Sequence, residues 1–110
     1  MPSTTEIDEL RSLCESVSQA NESGVTFLLL KGLHLPAGCT PSTVDALLCP
    51  SPRDGYDSRL YFAQQIHASV SPNWTAQQRI LDRNWAVFSW RTQPGLRPAQ
   101  MVAVHLWGLR

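Results

Sequence analysis

The sequence predicts an α+β fold, and three observations carry that prediction. Apolar residues recur at helical spacing near the N-terminus, several β-compatible runs separated by Gly- and Pro-bearing turns fill the middle, and a proline opens a final apolar run. At the start, Ser3 and Glu6 have the spacing of a capping box, and Ile7, Leu10, Leu13, Cys14 and Val17 follow every three or four residues. The spacing predicts an amphipathic helix over 4–19. Asn21-Glu22-Ser23-Gly24 then supplies a turn with a glycine able to take positive φ, and the run Val25 to Lys31 reads as a buried strand.

Gly32 to Pro41 holds two glycines and two prolines and reads as loop, while Thr43 to Cys49 returns to a strand pattern that Pro50 and Pro52 stop. Another turn at Arg53-Asp54-Gly55-Tyr56-Asp57 leads into a third strand beginning at Arg59, so the sheet is expected over about 25–66, as a hairpin or meander. Residues 67–97 read as irregular. Thr75 to Leu81 has room for one or two helical turns, and Asn84 to Arg91 reads as either a strand or an ordered loop. Pro98 suits the first position of a closing helix over 98–109, on which Met101, Val104, His105 and Gly108 share a face flanked by Trp107. One domain over 1–110 is expected, with enough length for one core.

Nine Lys plus Arg balance nine Asp plus Glu, so the formal net charge is zero, and the sequence pI is near 6.8. Binding that rests on many phosphate contacts needs a basic face, so nucleic acid is not expected. Apolar residues make up 43% of the chain and charged residues only 16%. So little charge on so apolar a chain favours association, and a protein partner is expected. The chain has no apolar run long enough for a membrane span and no signal-peptide pattern at its start, so no membrane partner and a cytoplasmic location are expected. Cys14, Cys39 and Cys49 are odd in number, far apart and without a CxxC pair, which favours reduced thiols over a disulfide framework or a zinc knuckle.

A more specific likeness begins at Leu28-Leu29-Leu30-Lys31-Gly32-Leu33-His34-Leu35-Pro36-Ala37-Gly38 and continues through Val44-Asp45-Ala46-Leu47-Leu48-Cys49-Pro50. Tyr56, Phe62, Trp85 and the Ser89-Trp90-Arg91 triplet follow in order. Over about residues 25–110 the chain resembles the bacterial proteins of the ubiquitin-conjugating-enzyme superfamily classed as prokaryotic family E. The resemblance implies an N-terminal helix, a four-stranded antiparallel meander and C-terminal helices. Its implied partners are a ubiquitin-like protein, an activating-enzyme-like protein and a deubiquitinase-like peptidase. The chain departs from the family at Asp57, where a Pro usually follows the Tyr, and at Cys39, where the family has Tyr.

The larger departure is chemical. Thioester exchange needs an accessible thiolate in the segment after the fourth strand, and no cysteine occurs between Pro50 and Arg110. The His-Pro-Asn signature of the eukaryotic enzymes is also missing, with only Ser71-Pro72-Asn73 bearing a passing likeness. The expected function is therefore a noncatalytic conjugating-enzyme-like domain acting by binding. The alternatives are a transferase using Cys39 or Cys49 as an unconventional nucleophile, or a cysteine donated by a partner, and a structural protein whose fold serves to oligomerise.

Cys49, closing a strand, reads as a small buried apolar residue, whereas Cys39 in its Gly-bearing loop is expected to be more exposed. Trp85, Trp90, Arg91 and His67 are the candidate partner-binding residues: surface tryptophans make strong anchors, Arg91 beside Trp90 suits a binding rim, and His67 lies near where the resemblance places the missing active-site segment, as part of a polar pocket. Asp45 has two readings: a general base with a raised pKa if buried, or a residue that is exposed at a sheet edge or caps a backbone group. His34, His67 and His105 lack metal-ligand spacing and no nucleophile elbow is present, so neither a metal nor a cofactor is expected.

Overall fold

The computed structural model describes residues 3–75 and 77–110. Met1, Pro2 and Ala76 lie outside the described residues of the domain expected over 1–110. The chain is α+β, in the order α1 (Thr4–Arg11), β1 (Ser16–Glu22), β2 (Val25–His34), β3 (Thr43–Cys49), β4 (Arg59–Phe62), β5 (Gln78–Ile80), β6 (Arg83–Trp85) and α2 (Pro98–Trp107). Strands β1 to β4 form one antiparallel meander in sequence order, and β5 and β6 form a separate hairpin.

The capping box closes as the spacing predicts: Glu6 N–H donates to Ser3 Oγ at 3.2 Å and Ser3 N–H donates to Glu6 Oε1 at 2.8 Å. The helix then ends at Arg11 rather than running to residue 19. Ser12 terminates it, with both its N–H and its hydroxyl donating to the Glu9 carbonyl. Residues 16–22 instead form β1, which pairs with β2 from Ser16↔Lys31 to Glu22↔Val25. The apolar period survives this change, since Leu10 and Cys14 stay in the core and Val17 reaches the same cluster from the strand. The sheet therefore begins at Ser16, not at residue 25, and ends at Phe62.

Strand β2 alternates until a bulge. Leu28 and Leu30 face the helices, the register shifts between Leu30 and Leu33, and Leu33 then returns to the same face. Gly32 makes this switch at φ +64°, where a Cβ would lie 2.7 Å from the Glu15 carboxylate. Its N–H is freed from the ladder and donates to Asp45 Oδ1 at 3.0 Å, with Arg83 3.9 Å from the other carboxylate oxygen. Of the two readings of Asp45, the backbone cap is the one its contacts match.

The meander is buried on both faces. One face carries Leu30, Val44, Leu48, Leu60 and Phe62 against Leu10 of α1 and Met101 and Val102 of α2. The other carries Phe27, Leu47, Cys49 and Tyr61 against Ile80, Trp85 and Val87 from the hairpin and the strand-like segment after it. Residues 67–97 are therefore not wholly irregular. Residues 78–80, inside the stretch read as having room for helical turns, form β5; Ala76 of that stretch lies outside the described residues. The hairpin turns through Leu81 and Asp82, both at positive φ, as a two-residue primed turn requires. Neither is the Asn or Gly that announces such a turn in a sequence. Tertiary contacts hold it: Leu81 N–H donates to Glu22 Oε1 at 3.1 Å and Arg79 donates to the Asp82 carbonyl at 3.1 Å. Beyond β6, Ala86 bonds Phe62 of β4 in both directions at 2.7 Å, which fastens the Trp-rich segment to the sheet edge.

Candidate functional site

Helix α2 begins at Pro98, where a missing N–H costs nothing, and its core stripe is Pro98, Met101, Val102 and His105. Gly108 ends it. A Cβ there would lie 2.7 Å from the Phe88 ring and 3.2 Å from the Trp90 ring, so the helix end presses directly on both aromatics. Phe88 is fixed from below by Phe62, stacked at 5.7 Å, and by Trp74, edge-on at 5.2 Å. Two straps complete the frame: Thr75 N–H donates to the Val87 carbonyl at 2.8 Å and Ser89 N–H to the Asn73 carbonyl at 2.9 Å.

This frame holds Trp90 at the surface. Three large apolar side chains are exposed among the described residues: Val70 at 40%, Trp90 at 38% and Trp107 at 58%. All three line one groove of about 360 Å³, between the 70–73 segment and the end of α2. Ser71, Asn73 and Ser89 add polar groups to it, and the Arg110 guanidinium lies 4.5 Å over the Trp107 ring. The groove presents aromatic faces, hydrogen-bonding groups and one cation. No thiol lines it.

The candidate binding residues divide. Trp90 is in the groove, and exposed His67 lines the adjoining hollow, which shares Val70, Ser71 and Pro72 with it. Trp85 is not a surface anchor. It is 2% exposed on the opposite face of the sheet, donates from Nε1 to the Ile80 carbonyl at 3.0 Å and lies under the Arg83 guanidinium. Arg91 is exposed but does not line the groove; it donates to the Gly55 carbonyl at 3.3 Å and lies over the Tyr56 ring. Val70 and Trp107 were not among the expected site residues. The spacing of α2 held the signal for Trp107, because two residues beyond His105 is about 200° around a helix from the core stripe.

The thiols are all buried. Cys39 corrects the expectation of exposure: it is 9% exposed, tucked toward the Leu109 carbonyl at 3.9 Å. The loop is drawn in by a two-way backbone pairing of Thr40 with His67, at 2.8 and 3.0 Å. Burial pushes the Cys39 and Cys14 thiols up, away from the thiolate that nucleophilic chemistry needs. Cys49 is fully buried in the second core, as its position at a strand end suggested. In the native protein the three thiols should react with a chromogenic disulfide reagent at least about a hundredfold more slowly than after denaturation. A fast-reacting thiol abolished by Cys39→Ser would reverse this placement.

A second polar centre lies inside the protein. Ser58 is 2.8 Å from Thr92 Oγ1 and 3.0 Å from His105 Nε2, and both Ser58 and His105 are buried. The neighbouring Arg59 is also buried, over the Tyr56 ring at 4.2 Å, with Nη1 3.8 Å from Asp54 and Nη2 without a hydrogen-bond partner. Burial, and after it the charge of Arg59, lowers the His105 pKa from 6.5 to about 4. The Ser–His pair is closed to substrate, so it is a structural element and not a hydrolytic dyad. Among the described residues no three His, Cys, Asp or Glu side chains are grouped to hold a metal ion, and no helix is long and apolar enough to cross a membrane. The chain matches no protein-family model, no curated protein and no solved structure.

Proposed function

We propose that this chain is a noncatalytic, ubiquitin-conjugating-like domain that binds a ubiquitin-like protein or its activating enzyme within a bacterial conjugation system. The observation that carries the reading is the convergence of Val70, Trp90 and Trp107 on one groove beside the segment that follows β4. In the family the chain resembles, that segment carries the thioester chemistry. Here it offers aromatic surface, and every thiol of the chain is buried elsewhere. The order of one helix, a four-stranded meander and a closing helix agrees with the family layout at the coarse level. An aromatic patch in a desolvated groove is the kind of surface on which binding energy concentrates. A deubiquitinase-like peptidase of the same system is a further candidate for the groove.

Two measurements test this reading. With the activating enzyme, ATP and the ubiquitin-like protein, a non-reducing gel should reveal no thiol-sensitive adduct on this chain; one lost in Cys39→Ser or Cys49→Ser would sink the noncatalytic reading. In titration calorimetry with the same partners, Trp90→Ala should weaken binding at least about tenfold while the far-ultraviolet circular dichroism stays unchanged. Equal affinity of both proteins for every component would remove the groove from the function.

A further inference from the structure

Burying a guanidinium is costly unless its charge and its N–H donors find partners. The side chain of Arg59, in β4, is 5% exposed, yet its Nη2 has no hydrogen-bond partner and its Nη1 stands 3.8 Å from Asp54, beyond hydrogen-bond reach. Aromatic and cationic groups surround it. The guanidinium lies 4.2 Å over the Tyr56 ring and 5.9 Å over the Tyr61 ring. Arg91 lies 5.2 Å over the same Tyr56 ring, and Arg53 donates to the Tyr61 hydroxyl at 3.0 Å. Three of the nine Lys plus Arg of a chain without net charge thus meet around one turn. Arg53 and Arg59 share a single carboxylate, the half-exposed Asp54, whose Oδ2 is 4.0 Å from Arg53 Nε and accepts from Gln78 at 3.3 Å. Asp57 is exposed and joins neither of these ion pairs, so the arginines are in excess.

We propose that this turn binds a phosphate group, held by the Nη1 and Nη2 fork of Arg59 and covered from the solvent side by Arg91. A phosphate carries about −1.5 to −2 charges at neutral pH and offers the paired oxygens that a guanidinium binds bidentately. Its entry is the turn itself. Asp54 and Gly55 are exposed there at φ +54° and +85°, between two backbone bonds of 2.9 Å that join Arg53 and Tyr56. Asp54 holds the Nη1 side too loosely for a hydrogen bond, so a group of higher charge displaces it outward and brings Nη2 an acceptor. A carboxylate ligand, with the charge of Asp54, has no such advantage. None of these residues lines the groove of Trp90, so the site stands whatever that groove binds.

Titration calorimetry of the full chain with sodium phosphate, at constant ionic strength in sodium chloride, tests the proposal. Saturable binding with a Kd of about 1 mM or tighter is expected. Arg59→Met replaces a buried charge with an apolar side chain and should weaken binding at least about tenfold. Arg91→Gln and Asp54→Asn alter exposed positions and leave the fold unchanged. The first should weaken binding about threefold, and the second, by removing the competing carboxylate, should tighten it about threefold. That gain is one an arginine with a merely structural role does not produce. Methyl phosphate distinguishes the sources: tighter binding than inorganic phosphate assigns the site to a phosphomonoester, and weaker or equal binding to the free ion, the site being upheld by each. Absence of saturable binding overturns the proposal and gives Nη2 to a buried water. It is equally overturned if Arg59→Met binds phosphate as wild type does, or if Asp54→Asn binds no more tightly.

Discussion

Phe62→Ala should cost about 3–5 kcal/mol, the largest single-residue loss expected in this protein, out of the roughly 5–15 kcal/mol that holds a domain of this size together. Phe62 is fully buried at the end of β4 and stacks on Phe88 at 5.7 Å, while Trp74 meets it edge-on at 5.9 Å. Its backbone also carries both hydrogen bonds to Ala86. Truncation opens a cavity beneath the junction of sheet, strap and helix end, and the two remaining rings cannot close it without breaking the straps at Thr75 and Ser89. Urea unfolding followed by tryptophan fluorescence measures the loss. Phe62→Leu, which keeps most of the volume, should cost about 1 kcal/mol. An alanine variant within about 1 kcal/mol of wild type would show that the aromatic trio does not join these elements. The same trio holds Phe88 and, through Gly108, the floor under Trp90, so this variant should also blur the groove.

The second large effect is acid destabilisation through His105. In the folded chain this imidazole stays neutral down to about pH 4, whereas in the unfolded chain it takes up a proton below about 6.5. Between those values the unfolded state binds more protons, so this group's contribution is fully present above pH 6.5 and is lost as pH falls toward 4. At about 1.4 kcal/mol for each pH unit of separation, the loss approaches roughly 3 kcal/mol at the acid end. Stability measured in urea at pH 7, 5.5 and 4.5 should fall more steeply for wild type than for His105→Gln, which lacks the titration. Arg59→Met should flatten the wild-type curve in part, since Arg59 is the second cause of the lowered pKa. Parallel curves for wild type and His105→Gln would dismiss this account.

Much of the fold was legible in the sequence because the signals are local. The Ser3–Glu6 box, the turn at Ser23-Gly24, the span of β3 and the first turn of α2 at Pro98 each depend on neighbouring residues, and each is where the sequence places it. Strand β1 was hidden. Ser-Val-Ser-Gln-Ala-Asn-Glu carries too little apolar alternation to announce a strand, and the period of Leu10, Cys14 and Val17 continued a helix across it. The β5–β6 hairpin was hidden for a different reason, since its turn residues, Leu81 and Asp82, carry no Asn-Gly signal and are held at positive φ by contacts from Glu22 and Arg79.

The candidate site divides the same way. That tryptophans crowd the last third, and that no cysteine follows Pro50, are facts of sequence alone. Which tryptophan is a core wedge and which stays at the surface was settled by the meander being covered on both faces: Trp85 faces inward beneath the hairpin, while Trp90 and Trp107 are left at the rim. Cys39 likewise lost its exposure to the Thr40–His67 pairing between loops far apart in the chain. By itself, the sequence determined the α+β class, the local caps and turns, and a chain too weakly charged for its apolar content. Tertiary structure decided where the first helix stops, which thiols and rings meet solvent, and where the exposed apolar residues gather, because burial is set by contacts between distant segments.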